Sequence, residues 1–428
     1  MRRPLALACL TVALLAPAAS AQPPLQRSMS AAMRAAGGAS GAYAVDATHH
    51  RALFSWNAGS RRSLASNTKL FTLSATLDRF GADATLPTRV FAGGPIDSAG
   101  VLNGNLYLRG GGDPTFGDAS FVRGHTGGSA TVESLAEATA AAGITQVNGH
   151  VVGDESLFDR LRGGPDSGFG VSLYVGPLSA LSFDRGLANS RGSAFQANPP
   201  KFAAAKLQAA LKRAGVSVQR SASTGTTPEG ATFLAEVDSP PVGRLAALTA
   251  KESDNYFAEM LEKVLAAGPQ PAMTPAVPGQ PPQGFDPSAS PVGTTTKGAR
   301  AAIGFAKTVG ARARLVDGSG LDRLDQASPR DVEKLLEGIQ SRPWFQQLFD
   351  ALPVSGRDGT LHDRMRHGPA RGACHAKTGT LINVSALSGY CRARSGDTIV
   401  FSILMNAVSP VRARAQQDRM AQALVANG

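Results

Sequence analysis

The chain has 428 residues and a formal net charge of +11. Because one hydrophobic core rarely serves more than roughly 250 to 300 residues, this length predicts at least two domains. Lysines and arginines are scattered without the aromatic interleaving typical of nucleic-acid surfaces, so we expect no nucleic-acid partner. The charge is explained either by peripheral attraction to anionic polymers of the cell envelope or by solubility alone.

The first 21 residues predict a cleavable signal peptide. Arg2 and Arg3 precede an apolar run over residues 5–15, and Ala19-Ser20-Ala21 is a small-residue cleavage site. The apolar run is too short for a membrane span, and no later stretch approaches the roughly 18 apolar residues that a spanning helix needs. We therefore expect a protein that is periplasmic or otherwise exported and that has no transmembrane anchor.

Residues 22–85 and 243–428 are predicted to form one discontinuous domain. Apolar side chains recur at helical spacing after Ser66, which predicts a helix that ends near Gly81. A second helix is expected through residues 411–425. Alternating or β-rich runs predict the strands of a shared sheet at residues 41–46, 52–56, 377–381, 385–392 and 398–405.

Residues 86–242 have a different texture and predict an inserted α+β domain. Short strand-like runs with glycine turns are interrupted by helical patterns at residues 134–142 and 201–214. The triplet Gly110-Gly111-Gly112 predicts a tight turn, because no lysine follows at the spacing of a phosphate-binding loop. Residues 269–291, rich in proline, glycine and glutamine, predict a mobile surface loop in the discontinuous domain.

Ser66 and Lys69 are the first candidate catalytic pair. Side chains three residues apart on a helix share a face. A serine becomes nucleophilic when a base takes its proton, and a lysine acts as that base only if burial or nearby positive charge lowers its pKa. Ser66 alone is equally consistent with a helix N-cap, so the pair depends on two further motifs.

The second motif, Ser253-Asp254-Asn255, precedes the apolar face of a predicted helix. Ser253 is a candidate proton relay between Lys69 and a leaving group, and Asn255 is a candidate for orienting Lys69 or holding a substrate amide. Simple capping by Ser253 is the alternative. Asp254 is expected to support the loop.

The third motif, Lys377-Thr378-Gly379, lies in a predicted strand. Lys377 is expected to bind a substrate carboxylate, and Gly379 leaves room for a ligand along the strand. The amide of Thr380 is expected to join the amide of Ser66 in an oxyanion hole. The alternative for Lys377 is a buried structural lysine, and we expect the neighbouring His375 to be structural.

Cys374 and Cys391 are the cysteines that remain after the predicted leader. If the strands that carry them form a hairpin turning near Ile382 and Asn383, the two residues lie opposite each other. In an oxidising compartment this predicts a disulfide beside the candidate site. Two free thiols are the alternative.

The ordered motifs resemble the penicillin-recognising serine acyl-enzymes, a group for which this motif set is known. The longer strings resemble its D-alanyl-D-alanine carboxypeptidase/endopeptidase family, the class C low-molecular-mass penicillin-binding proteins, whose large insert matches the 183 residues between Lys69 and Ser253. The strings that carry this resemblance are Ala65 to Phe71, Arg109 to Phe116, Ser253-Asp254-Asn255, Asp317-Gly318-Ser319-Gly320-Leu321, Asp358-Gly359-Thr360-Leu361 and His375 to Leu381.

The resemblance implies an α+β fold: a β-lactamase/transpeptidase-like catalytic domain, with an antiparallel sheet flanked by helices, and a large α+β insert. It implies cleavage of peptidoglycan stem peptides or crosslinks through an acyl-Ser66 intermediate, and covalent inhibition by β-lactam antibiotics, with no cofactor or metal. It also implies that Thr378 assists Lys377 in binding the substrate carboxylate. The insert of that family helps to shape a pocket for the cross-linking amino acid. Asp154 is our candidate for meeting its cationic amine, and a surface-turn aspartate is the alternative.

Three other functions are weighed against this one. A β-lactamase needs fast deacylation, and the chain lacks the Glu-x-x-Leu-Asn pattern that supplies it in class A enzymes. A related esterase usually has tyrosine at the second motif, where this chain has Ser253. A non-catalytic peptidoglycan-binding scaffold would not need Ser66, Lys69 and Lys377 intact.

Overall fold

The computed structural model describes residues 23–128, 130–189, 191–273, 284–286 and 289–428. The predicted signal peptide lies outside these residues, as does much of the loop predicted at residues 269–291. Among the described helices, none is both long enough and apolar enough to cross a membrane.

Helices and strands are numbered along the chain. The helices are α1 (Pro24–Ala36), α2 (Thr68–Phe80), α3 (Ala119–His125), α4 (Val132–Ala141), α5 (Pro199–Arg213), α6 (Val242–Lys251), α7 (Asn255–Ala267), α8 (Thr295–Thr308), α9 (Pro329–Gly338), α10 (Phe345–Ala351) and α11 (Pro410–Asn427). The strands are β1 (Ala39–Asp46), β2 (Arg51–Trp56), β3 (Arg62–Ser63), β4 (Pro87–Gly93), β5 (Val101–Leu102), β6 (Asn105–Arg109), β7 (Gln146–Val147), β8 (Val151–Asp154), β9 (Ser217–Val218), β10 (Ser223–Thr224), β11 (Thr232–Asp238), β12 (Ala313–Arg314), β13 (Gln326–Ala327), β14 (Cys374–Leu381), β15 (Val384–Arg392) and β16 (Thr398–Asn406).

The main sheet joins the two ends of the chain. Its strand order is β14-β15-β16-β1-β2, and every neighbouring pair is antiparallel. The β14–β15 hairpin pairs Cys374 with Cys391 and Leu381 with Val384, so it turns at Ile382 and Asn383 as predicted. Strands from both halves of the discontinuous domain therefore share one sheet.

Both faces of this sheet are covered. Alternate side chains of a strand point to opposite faces, and β15 is buried at every position except its last. Tyr390 packs in a core with α2 and with the helices that follow the insert, whereas Leu387 packs in a second core with α1 and α11. Helices on both sides thus hold β14 and β15 in place.

The inserted region has its own sheet and core. Its five-stranded sheet has the order β10-β8-β6-β4-β11 and mixes parallel with antiparallel pairs. Apolar side chains from this sheet pack with α4 and α5 in a separate cluster. This separate core of the inserted region supports the predicted insert of residues 86–242, whose boundaries stay a prediction.

Candidate active site

Ser66 lies in a short turn immediately before α2. The helix itself begins at Thr68, and Ser66 lies in a preceding 3-10 turn, Ala65–Asn67, rather than in the first α-helical turn. Asn67 ties this turn to the sheet, because its Nδ2 donates to the Lys377 carbonyl at 2.9 Å. Gly320 packs against the same turn, where a Cβ would lie 1.9 Å from the Ala65 carbonyl oxygen.

Lys69 is completely buried beneath Ser66. Its Nζ donates to Ser66 Oγ at 3.2 Å, to Asn255 Oδ1 at 2.7 Å and to the Ser319 carbonyl at 2.8 Å. These acceptors satisfy all three protons of an ammonium group. The amine is therefore fixed within hydrogen-bonding distance of the candidate nucleophile.

Burial lowers the pKa of Lys69 to about 8, because the charged ammonium loses its hydration. Nearby carboxylates oppose this shift, in decreasing order Asp317, Asp254, Glu259 and Asp325. With this pKa, a useful fraction of Lys69 is neutral near physiological pH. The structure thus brings together the pair that the sequence predicted and supplies the condition that lets the lysine act as a base.

Lys377 is also completely buried and points toward the second motif. Its Nζ donates to Ser253 Oγ at 2.8 Å and to the Thr378 carbonyl at 2.9 Å. Burial first, and then the positive charge of Lys69, hold the pKa of Lys377 well below its usual range. This geometry does not favour the predicted contact with a substrate carboxylate, because the amine does not reach the surface of the cleft.

A residue of the insert stabilises the turn that carries Ser253. Ser253 has a left-handed backbone, with φ of 61°, and Asp254 then caps α7 by accepting from the Phe257 amide at 3.0 Å. Arg185 of the insert forms an ion pair with both carboxylate oxygens of Asp254, one of them at 3.1 Å. No sequence pattern points to Arg185, since 69 residues separate it from its partner.

Gly379 lets β14 lie directly against the Ser66 turn. A Cβ at this position would lie 2.8 Å from the Leu64 carbonyl oxygen and 3.1 Å from the Ser66 amide nitrogen. Thr378 and Thr380, on the opposite face of the strand, both line the cleft. The close approach places the third motif beside the amide of Ser66, as an oxyanion hole shared with Thr380 requires.

A cleft of about 1030 Å³ opens over this group of residues. It exposes Ser66, Ser253 and Asn255, while Lys69 and Lys377 lie beneath its floor. The full lining is Ser66, Asp166, Tyr174, Ser253, Asn255, Leu321, Arg323, Thr360, Asp363, Arg364, Thr378, Thr380, Leu381, Ile382 and Arg414.

Asp154 does not lie in this cleft, so its predicted contact with a substrate amine is wrong. The side chain is fully buried on β8, where Oδ2 accepts from Arg109 Nη1 at 2.8 Å and from Thr227 Oγ1 at 2.6 Å. The Asp154 carboxylate therefore forms an ion pair with Arg109 inside the insert. Asp166, which the sequence patterns did not single out because it resembles an ordinary turn residue, lines the cleft, as do Tyr174 and Asp363.

The Cys374–Cys391 disulfide is present and bridges β14 and β15 at directly opposed positions. It lies at the start of the strand that carries Lys377. His375, next along β14, stacks on Phe349 at 4.0 Å and hydrogen-bonds to its carbonyl. The expectation of a structural histidine agrees with this packing.

Comparison with known proteins identifies the family. The model of the D-Ala-D-Ala carboxypeptidase 3 (S13) family matches residues 27–194 and 187–427. The chain belongs to this family. It is therefore a serine-type D-Ala-D-Ala peptidase, and the predicted family and enzyme class are confirmed.

Individual relatives and solved structures are also similar to this chain. A D-alanyl-D-alanine carboxypeptidase of Actinomadura sp. is 28% identical over 90% of this chain and 81% of its own length. Carboxypeptidase DacB of Mycolicibacterium smegmatis is 29% identical over 83% of this chain and 74% of its own length. Penicillin-binding protein 4 of Haemophilus influenzae has a TM-score of 0.73 and 22% identity over 92% of this chain and 98% of that one.

A predatory peptidoglycan endopeptidase of Bdellovibrio bacteriovorus has a TM-score of 0.55 and 17% identity, over 91% of this chain and 92% of its own. At such identities these two structures are similar to the chain in fold alone. They confirm the predicted α+β, β-lactamase/transpeptidase-like fold class.

Proposed function

We propose that this S13 peptidase cleaves the D-alanyl-D-alanine bond of peptidoglycan stem peptides, or the crosslinks between them, through an acyl-Ser66 intermediate. The observation that carries this proposal is the buried Lys69 amine, 3.2 Å from Ser66 Oγ, with a pKa near 8. A base poised close to neutral pH is what a serine nucleophile needs.

Acylation begins when neutral Lys69 takes the Ser66 proton and Oγ attacks the scissile carbonyl carbon. The amides of Ser66 and Thr380 stabilise the oxyanion. When the C–N bond breaks, the leaving amine takes a proton from Ser253 Oγ, and the proton held by Lys69 restores the Ser253 hydroxyl. Water then attacks the acyl-enzyme, releases the shortened peptide and returns the proton to Ser66.

Lys377 and Asn255 act on this proton path without touching the scissile bond. Lys377 holds Ser253 Oγ at 2.8 Å, and Asn255 Oδ1 holds the Lys69 amine at 2.7 Å. The Nδ2 group of Asn255 also donates to the Tyr174 carbonyl at the cleft wall, at 3.3 Å. We therefore assign Lys377 a positioning role in place of the carboxylate contact expected from the sequence.

The substrate assignment extends what is known of the relatives. One Haemophilus influenzae structure contains a β-lactam, and a Bdellovibrio endopeptidase structure is acylated by penicillin G. For this chain we propose acylation by penicillin at Ser66 with slow release, so that fast antibiotic turnover would instead indicate a β-lactamase. Export of the mature chain to the periplasm, after removal of residues 1–21, belongs to the same proposal.

Asp166 replaces Asp154 as the proposed partner of a cationic amine on the stem peptide. Burial, followed by the charges of Asp317 and Asp322, raises its pKa, so an incoming ammonium would relieve a disfavoured negative charge. Asp166→Asn should reduce kcat/KM for a stem peptide with a free side-chain amine. It should leave kcat/KM unchanged for the same peptide acetylated on that amine, and equal losses on both would remove this assignment.

Digestion of purified muropeptides tests the proposed function as a whole. Chromatography with mass spectrometry should show loss of the terminal D-alanine from pentapeptides, or conversion of crosslinked dimers to monomers. Ser66→Ala is the matched control, because it removes one oxygen atom and leaves the fold intact. Equal products from wild type and Ser66→Ala, or none from either, would contradict the proposal.

A further inference from the structure

Beside Thr380, the cleft carries a positive charge that the three motifs do not explain. Arg414 lies on α11, exposed to solvent, and its Nη2 donates to Thr380 Oγ1 at 3.0 Å. Thr378 and Thr380 are two residues apart on β14, so their side chains face the cleft together. The guanidinium of Arg414 therefore lies at the end of the site that Thr378, Thr380 and Ser66 define.

Other side chains leave the charge of Arg414 unneutralised. Within the part of the chain that the structure describes, no carboxylate oxygen lies within 4.0 Å of its guanidinium. Asp418, one helical turn further along α11, pairs with Arg364 at 2.7 Å instead. Arg323, which also lines the cleft, donates to the Ile382 carbonyl at 2.5 Å. An anion beside Thr380 would therefore lie next to a guanidinium that no carboxylate of the described residues neutralises.

We propose that Arg414 and the Thr380 hydroxyl together bind the carboxylate of the residue that leaves during cleavage. This inference rests on the proposed function, because a D-alanyl-D-alanine terminus places that carboxylate on the leaving residue. A guanidinium presents two parallel donors to a carboxylate. Thr380 Oγ1 accepts from Arg414, so its own proton is available to the second carboxylate oxygen.

The geometry of Lys377 supports this assignment. Its amine is buried, is committed to Ser253 and the Thr378 carbonyl, and does not line the cleft. The sequence alone predicts that Lys377 binds the carboxylate, because a lysine on a strand beside a nucleophile is the obvious cation. Arg414, 37 positions later in the sequence, lies beside β14 only because α11 packs there, and the structure favours Arg414 for the carboxylate contact.

The test compares two peptides that differ only at the C-terminus, one a free acid and the other a carboxamide. Wild type should prefer the acid. Arg414→Met should reduce kcat/KM for the acid about 10- to 100-fold, as loss of a charge-assisted bond implies, and leave kcat/KM for the amide unchanged. Arg414→Lys should keep part of the preference. Arg412→Met, an exposed position on the same helix that does not line the cleft, is the matched control.

The possible results separate this inference from the proposed function. If wild type cleaves the acid peptide and Arg414→Met keeps the acid-over-amide preference, the role of Arg414 is wrong while the proposed function stands. Equal losses on acid and amide would also overturn it, since they indicate a structural role. If wild type cleaves neither peptide and is not labelled by penicillin, the proposed function fails and this inference fails with it.

Discussion

The ionisation of Lys69 predicts a specific pH profile for acylation. Its pKa is lowered to about 8 by burial, and only the neutral amine can accept the Ser66 proton. Because the neutral form of an amine gains population as pH rises, about a tenth of the molecules are competent at pH 7, about half at pH 8 and about nine tenths at pH 9. Acylation by penicillin should therefore accelerate about tenfold between pH 7 and 9 and then level off.

Several charged groups around Lys69 influence this profile. Asp254, Asp317 and Asp325 favour its protonated form, and Glu259, whose pKa burial raises to about 8, titrates in the same range and broadens the rise. The assay is the second-order rate of labelling by a fluorescent penicillin, with circular dichroism at each pH as the control for folding. With an unperturbed lysine near 10.4, the rate would instead rise about a hundredfold between pH 7 and 9 without levelling off. That result, or a flat profile, would refute the role of Lys69.

Three further predictions concern contacts inside the insert, across the β14–β15 hairpin and at the Ser253 turn. Asp154→Asn breaks a buried ion pair and should lower the free energy of unfolding, measured by urea titration, by about 3 to 5 kcal/mol. KM for stem peptides should stay unchanged, and a raised KM would show that Asp154 contributes to substrate binding. Replacing both Cys374 and Cys391 by alanine opens a loop of 17 residues and should cost about 3 kcal/mol by the same titration, whereas an unchanged midpoint would show that the bridge adds no stability. Arg185→Ala removes the ion pair with Asp254 and should slow acylation by penicillin more than Arg185→Lys does. Equal acylation rates in both variants and wild type would show that the Ser253 turn keeps its conformation without this ion pair.

Much of the fold was predictable from local pattern. The β14–β15 hairpin has a short turn, so the register that opposes Cys374 and Cys391 follows once the two strands are recognised. The predicted helix at residues 201–214 is α5, displaced by two residues at its start because Asn198 caps it ahead of two prolines. Such local signals depend on residues close in sequence.

The functional contacts that the sequence analysis missed all join distant residues. Arg109 donates a hydrogen bond to Asp154, 45 residues away, and Arg414 on α11 donates one to Thr380, 34 residues before it. The motif itself revealed Lys377 but not the direction of its amine, because burial by the surrounding helices sets that direction. Sequence pattern therefore found the reacting groups, while packing decided which groups support them and which meet the substrate.

Mass spectrometry of the intact protein after exposure to penicillin tests the central claim most directly. Wild type should gain the mass of one penicillin molecule, Ser66→Ala should gain none, and peptide mapping should place the added mass on the peptide that contains Ser66. An unlabelled wild type, or equal labelling of both proteins, would contradict an acyl-Ser66 mechanism.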